Sequence, residues 1–265
     1  MKMKYTIYAL IVAVLFTACE GKQAKLLGKI KAIESSEKIG TKEGLAELAK
    51  LHAEYGTSFN DSAANDYLYA AAQYYFHEEN KEESKRLLLA YLQRDDSTDR
   101  FRNAAINLAK LYADEKEFTK ADDLISETLD KSLPTNMQWN DILSIYEAKV
   151  AQNKDIKPND YERIALAYTA TGNFEKALEN LDLAINTFPN YEQKNDLLYR
   201  SGFTAWNYMK NADKAKQYYN LFLEQFPNDE RAEEVKTILK DGMLEKSDEE
   251  ILEILKAKAS KTAKK

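Results

Sequence analysis

Cys19 is the single thiol in a sequence of 265 residues, and it stands at the end of an apolar run. With one cysteine no disulfide can close within the chain, and thiol redox chemistry has no place in the body of the protein. The other residues capable of chemistry are scattered. His52 and His77 lack a second histidine at the helical spacing of a zinc protease, and His77-Glu78-Glu79 is not followed by the required partner. The 8 glycines build no phosphate-cradling loop, and no serine sits in a nucleophile elbow. Asp95, Asp96 and Asp99 lack the alternation and the glycine of a calcium loop and read instead as the start of a helix. The sequence therefore predicts no enzyme, no metal and no cofactor.

The elements around Cys19 say what its thiol is for. Lys2 and Lys4 precede a largely apolar stretch from Tyr5 to Phe16, and the small Thr17 and Ala18 follow. That is the layout of a secretory signal, and it is too short to span a bilayer core. Leu15-Phe16-Thr17-Ala18-Cys19 resembles the lipobox of bacterial lipoproteins. The resemblance implies a signal peptide over 1–18, acylation of Cys19 as the new N-terminus, and a lipidated tether over 19–25.

Composition limits the fold. Only 8 Gly and 4 Pro occur among the 265 residues, and the abundance of Ala, Leu, Lys and Glu favours long helices. An all-α fold follows. The formal net charge of -6 becomes two units more negative when Lys2 and Lys4 leave with the signal, which argues against nucleic acid as a partner. At 44% hydrophobic and 31% charged residues, the chain can bury a core.

Internal repetition then sets the architecture. Tyr161, Ile164, Ala165 and Tyr168 share one helix face, Gly172-Asn173 makes a turn, and Ala177, Leu181 and Ala184 stud a second helix closed by Pro189. This segment, 159–189, resembles a tetratricopeptide repeat. Tyr199, Gly202, Trp206, Ala215, Tyr219, Phe222 and Pro227 repeat the pattern over 196–227, with Gly202 one place early. Upstream, Leu68, Ala71, Ala72 and Tyr75 pair with Ser84, Leu88 and Tyr91. Ala105, Leu108, Ala109 and Tyr112 pair with Phe118, Ala121 and Ile125. A degenerate first pair joins Leu26, Leu27, Ile30 and Ile33 to Leu45, Leu48, Leu51 and Tyr55. Repeats over 26–240 then stack into a superhelical solenoid of antiparallel helix pairs.

Two segments fall outside the pattern. The 56-residue step from Ala121 to Ala177 is too long for one repeat, and the box Thr135/Gln138 before Trp139, Ile142, Leu143 and Tyr146 predicts an unpaired inserted helix over about 135–151. After Asp241-Gly242, Ser247 with Glu250 caps a helix carrying Ile251, Leu252, Ile254 and Leu255, so 241–265 reads as a capping helix and basic tail. The tail contains Lys256, Lys258, Lys261, Lys264 and Lys265.

In tetratricopeptide arrays the first helix of each pair lines a concave groove. The resemblance places Tyr69, Gln73, Phe76, Ile106, Lys110, Glu162, Leu166, Arg200, Thr204 and Tyr208 there, a mixture of aromatics and both charges suited to a peptide held by side-chain burial. Asn107 with Lys110 falls short of the carboxylate clamp of co-chaperones. Together, lipobox and repeats look like the tetratricopeptide lipoproteins of Gram-negative bacteria. That class implies a protein held at the outer membrane by acyl chains, facing the periplasm, that binds a protein or peptide and serves in outer-membrane assembly. The alternative is a nutrient or carbohydrate uptake lipoprotein. A sugar platform needs clustered exposed aromatics, whereas most of the 17 tyrosines fall at helix-packing positions, which favours the adaptor.

Overall fold

The computed structural model describes residues 21–94, 99–131, 133–152 and 155–262. Cys19, the signal segment, Asp95, Asp96, Lys264 and Lys265 lie outside them. The described residues are all-helical and divide between Pro134 and Thr135 into two compact units, each taken here by itself. The first contains α1 (21–34), α2 (Lys42–Ser58), α3 (Ser62–His77), α4 (Lys81–Leu92), α5 (Asp99–Asp114) and α6 (Phe118–Lys131). The second contains α7 (Asn136–Ala151), α8 (Pro158–Ala170), α9 (Phe174–Thr187), α10 (Lys194–Phe203), α11 (Ala212–Gln225), α12 (Ala232–Lys240) and α13 (Asp248–Thr262). Within each unit, helices adjacent in sequence pack on one another, as a tetratricopeptide solenoid requires.

The hairpins share one turn. Glu79, Lys116, Gly172 and Lys210 all take positive φ, at 57°, 64°, 80° and 51°, and each precedes the second helix of its pair. In the first three hairpins the next amide reaches back five residues, from Asn80 to Tyr75, Glu117 to Tyr112 and Asn173 to Tyr168, at 2.8 to 2.9 Å. This bond satisfies a carbonyl that the helix end would otherwise leave open. One of the four residues is glycine; the other three carry a side chain in a conformation that costs an L-residue roughly 1–2 kcal/mol.

The hairpin interiors hold small residues. Ala72 and Ser84, Ala109 and Ala121, and Ala165 and Ala177 are all fully buried, and each pair is separated by twelve positions. In the last hairpin Gly202 and Ala215 are thirteen apart. The extra residue is absorbed by a π turn over Thr204–Tyr208 at the end of α10, where the amide of Asn211 reaches back six residues to Ala205, at 2.8 Å. Gly202 fits because a Cβ there would lie 2.5 Å from the Tyr219 ring.

At the head of unit 1, Leu26, Ile30 and Ile33 of α1 share a core with Leu48, Tyr55 and Phe59, while Leu45 stays exposed. The stretch expected as tether is already helical from residue 21. Gln23 donates to the Tyr55 hydroxyl at 2.7 Å and to Asp61 at 2.5 Å, which fixes α1 to the α2–α3 junction. His52 stacks on Tyr67 at 4.5 Å. Its Nε2 is buried without a hydrogen-bond partner and lies 4.0 Å from Glu34. Burial outweighs that carboxylate and lowers the imidazole pKa to about 4.

α7 begins at the expected capping box, the Thr135 amide donating to Gln138 Oε1 at 2.9 Å and the Gln138 amide to Thr135 Oγ1 at 3.4 Å. It packs on α8, which in turn pairs with α9, so α7 stands as an additional helix at the head of unit 2. Trp139, Ile142 and Tyr146 are buried. Lys149 Nζ donates to Asp160 Oδ1 at 2.5 Å in a buried ion pair, and the other carboxylate oxygen accepts the Lys157 amide at 2.8 Å. At the far end Ser247 and Glu250 form the second expected box. Ile251 and Ile254 reach the core of the unit; Leu252 and Leu255 remain about half exposed. α13 runs to Thr262, past the first three lysines of the basic segment.

Candidate functional site

In unit 1 the first helices α3 and α5 lie side by side, and one sequence offset governs what meets. Arg100 pairs with Asp66. Asn103 Nδ2 donates to the Tyr69 hydroxyl at 3.4 Å, Asn107 Nδ2 donates to Gln73 Oε1 at 2.9 Å, and Lys110 Nζ sits 5.8 Å from the Phe76 ring centre. Every pair is 34 residues apart, which is one repeat. Equal positions on successive helices are therefore neighbours, and the row alternates charge, ring and amide along the shared face. The Tyr69 ring also packs 5.2 Å from Tyr91. Gln73 Nε2 is buried and has no hydrogen-bond partner, a donor that costs free energy until an acceptor arrives.

Tyr69, Gln73, Phe76 and Lys110 are thus half-exposed members of one row. Ile106 is not. It is 1% exposed, because α5 is covered on most of its circumference: Phe101, Ala104, Ala105, Leu108, Ala109, Leu111 and Tyr112 are buried as well. A reading that counts only the pairing face of a helix leaves Ile106 free, and packing against its other neighbours removes it. Asp66, Arg100 and Asn103, absent from the sequence expectation, belong to the row; the 34-residue offset was the signal that could have found them.

In unit 2 the structure brings together Glu162 and Arg200, whose guanidinium lies 3.1 Å from the carboxylate. Tyr191, in the loop between α9 and α10, donates to the other oxygen of Glu162 at 2.8 Å, and burial beside that carboxylate raises its phenol well above the usual range. Tyr168 donates to Glu147 of α7, which pushes it up to about 12. Leu166 is half-buried. Thr204 is 5% exposed and so leaves the surface set, because the π turn holds it inside.

Tyr208 goes elsewhere. Its ring stacks on Phe174 at 4.6 Å with the planes 7° apart and meets Phe203 edge-on at 5.8 Å. Tyr208 is 43% and Phe203 37% exposed, so rings cluster at the turn edge of the hairpins. Trp206, expected at a packing position, is half-buried. Sequence periodicity missed this cluster because a single extra residue in α10 shifts every later position by 100° around the helix.

The chemistry available on these surfaces is recognition. Among the described residues no group of three His, Cys, Asp or Glu is placed to hold a metal ion, and no helix is long and apolar enough to cross a membrane. Comparison with known families finds the Tetratricopeptide repeat over residues 161–191 and 196–229, which are the α8–α9 and α10–α11 hairpins with their following loops. No curated protein matches the chain. The chain is a tetratricopeptide-repeat protein in these segments, and repeats of this kind support a protein–protein interaction role and are generally non-catalytic.

Proposed function

We propose that this protein is an envelope-anchored adaptor that holds a peptide or protein against the first-helix row of unit 1, and that Cys19 carries the acyl chains that keep it at the outer membrane, facing the periplasm. The observation that carries the reading is the row itself. Four consecutive pairs between α3 and α5 present two rings, three amides and two cations on one half-exposed face. An amide pair with an unmet donor suits a peptide backbone, and the flanking rings suit side-chain burial. The anchor rests on the signal layout before Cys19 and on its lipobox resemblance.

The test uses a photo-crosslinking residue at Gln73, and as control at Leu89 of α4, which is 40% exposed. Adducts in intact cells from position 73 and none from position 89 are expected; equal adducts would remove the groove from the reading. Cys19→Ser should abolish labelling by a fatty-acid probe and release the protein from membranes, since stable anchoring needs more than one chain. Equal labelling of both proteins would refute the anchor and leave the groove standing.

A further inference from the structure

Counted back from Ala215, Trp206 holds the place that Tyr168 holds before Ala177. Tyr168 is 9% exposed. The π turn breaks the equivalence: Ala205 becomes the fully buried residue, and Trp206 turns toward an open cavity of about 530 Å³ between the end of α10, the start of α11 and the start of α13. π turns are uncommon and concentrate where a helix serves something other than packing. Here the turn exchanges a core position for an indole on a cavity wall.

The wall has two chemistries. Trp206 and Phe203, with Leu244, supply an apolar surface, and Phe203 continues through Tyr208 to Phe174 as an exposed strip of rings. Around it stand Lys210, Lys246, Glu245, Asp248 and Asn207. Two positive and two negative groups cancel formally, and among the described residues none of the four is ion-paired. A ligand with net charge would meet one attractive and one repulsive pair. A neutral ligand with an apolar face and a rim of groups that both donate and accept hydrogen bonds uses all of them.

We infer that this cavity is a binding site for a neutral oligosaccharide, with one pyranose ring laid on Trp206 and Phe203 and its hydroxyls bonded to Asn207, Lys210, Lys246, Glu245 and Asp248. A pyranose has that pair of surfaces: C–H groups on its faces that pack on aromatic rings, and hydroxyls at its edge that donate and accept. The strip through Tyr208 to Phe174 gives a second sugar unit a ring to cover. This site stands apart from the first-helix row of unit 1, so the adaptor reading and the saccharide site fail or hold independently.

The test is calorimetric titration of the purified full chain with maltotetraose, cellotetraose and chitotetraose, paired with thermal melts. At least one of the three is expected to bind at millimolar concentration. Trp206→Ala should weaken that binding about tenfold or more without lowering the melting temperature, since the side chain is half-buried at a cavity wall. Trp206→Phe, which keeps a ring face, should retain most of it. Failure of all three sugars to bind would overturn the proposal and give the apolar wall to a protein partner. Binding undiminished in Trp206→Ala would overturn it too, by showing that any sugar is held elsewhere.

Discussion

The two units use the same hairpin and differ in how strictly they keep its spacing. In unit 1 the first helices stand 34 residues apart, and equal positions pair four times in succession. In unit 2 a four-residue excess falls in the loop that contains Tyr191, and a single excess falls inside α10. The loop excess leaves Glu162 and Arg200 in contact, since a loop can grow without turning the helices it joins. The helix excess rotates everything after it, and the surface gains Phe203, Trp206 and Tyr208. Regular spacing builds a row between helices; irregular spacing within a helix moves core-type residues outward.

The sharpest way to break this comparison is to separate the units. Lys149→Ala removes the cation facing Asp160, which is 1% exposed, and leaves a buried carboxylate without its counter-charge. A loss of about 3–5 kcal/mol is expected, falling on unit 2 alone. Thermal melts followed by limited proteolysis should show unit 2 cleaved first, while a single transition shifted as a whole would show that the units fold as one.

A middle-sized effect belongs to unit 1. His52 takes up its proton near pH 4 in the folded protein, whereas an unfolded histidine does so near 6.5. Between those values the unfolded state binds more protons, so stability is full above about pH 6.5 and falls as the pH drops toward 4. The expected loss is about 1–3 kcal/mol. His52→Phe, which keeps the stack on Tyr67, should flatten the dependence of denaturant midpoint on pH across this window. An unchanged slope would assign the acid sensitivity to other groups.

The smallest effect asks whether the shared turn is the same in both units. Gly172 in unit 2 and Lys116 in unit 1 have φ of 80° and 64°. Gly172→Ala should cost about 1 kcal/mol. Lys116→Gly should stabilise by about half that, because the added freedom of the unfolded chain offsets part of the relieved strain. Both are read from urea midpoints, and equal signs would mean that the turns differ in more than residue type.

Much of the fold is legible in the chain because it rests on local rules. Apolar spacing at Tyr161, Ile164, Ala165 and Tyr168 forces one helix face inward; Thr135 with Gln138, and Ser247 with Glu250, satisfy helix-end amides within four residues of sequence. The early glycine at position 202 was legible too, as a misfit, though its resolution was not. A helix that is one residue too long can fray, shift register or take a π turn, and the choice depends on what packs against it, here the Tyr219 ring over Gly202.

What the sequence by itself determined is the all-helical class, the hairpin boundaries and the caps, since each follows from interactions within a few residues. Tertiary structure decided which side chains reach a surface. Ile106 and Thr204 were lost to it, and Asn103, Phe203 and Trp206 were gained, because exposure depends on every helix that surrounds a face, and a periodicity counted along one helix contains only the first of those neighbours.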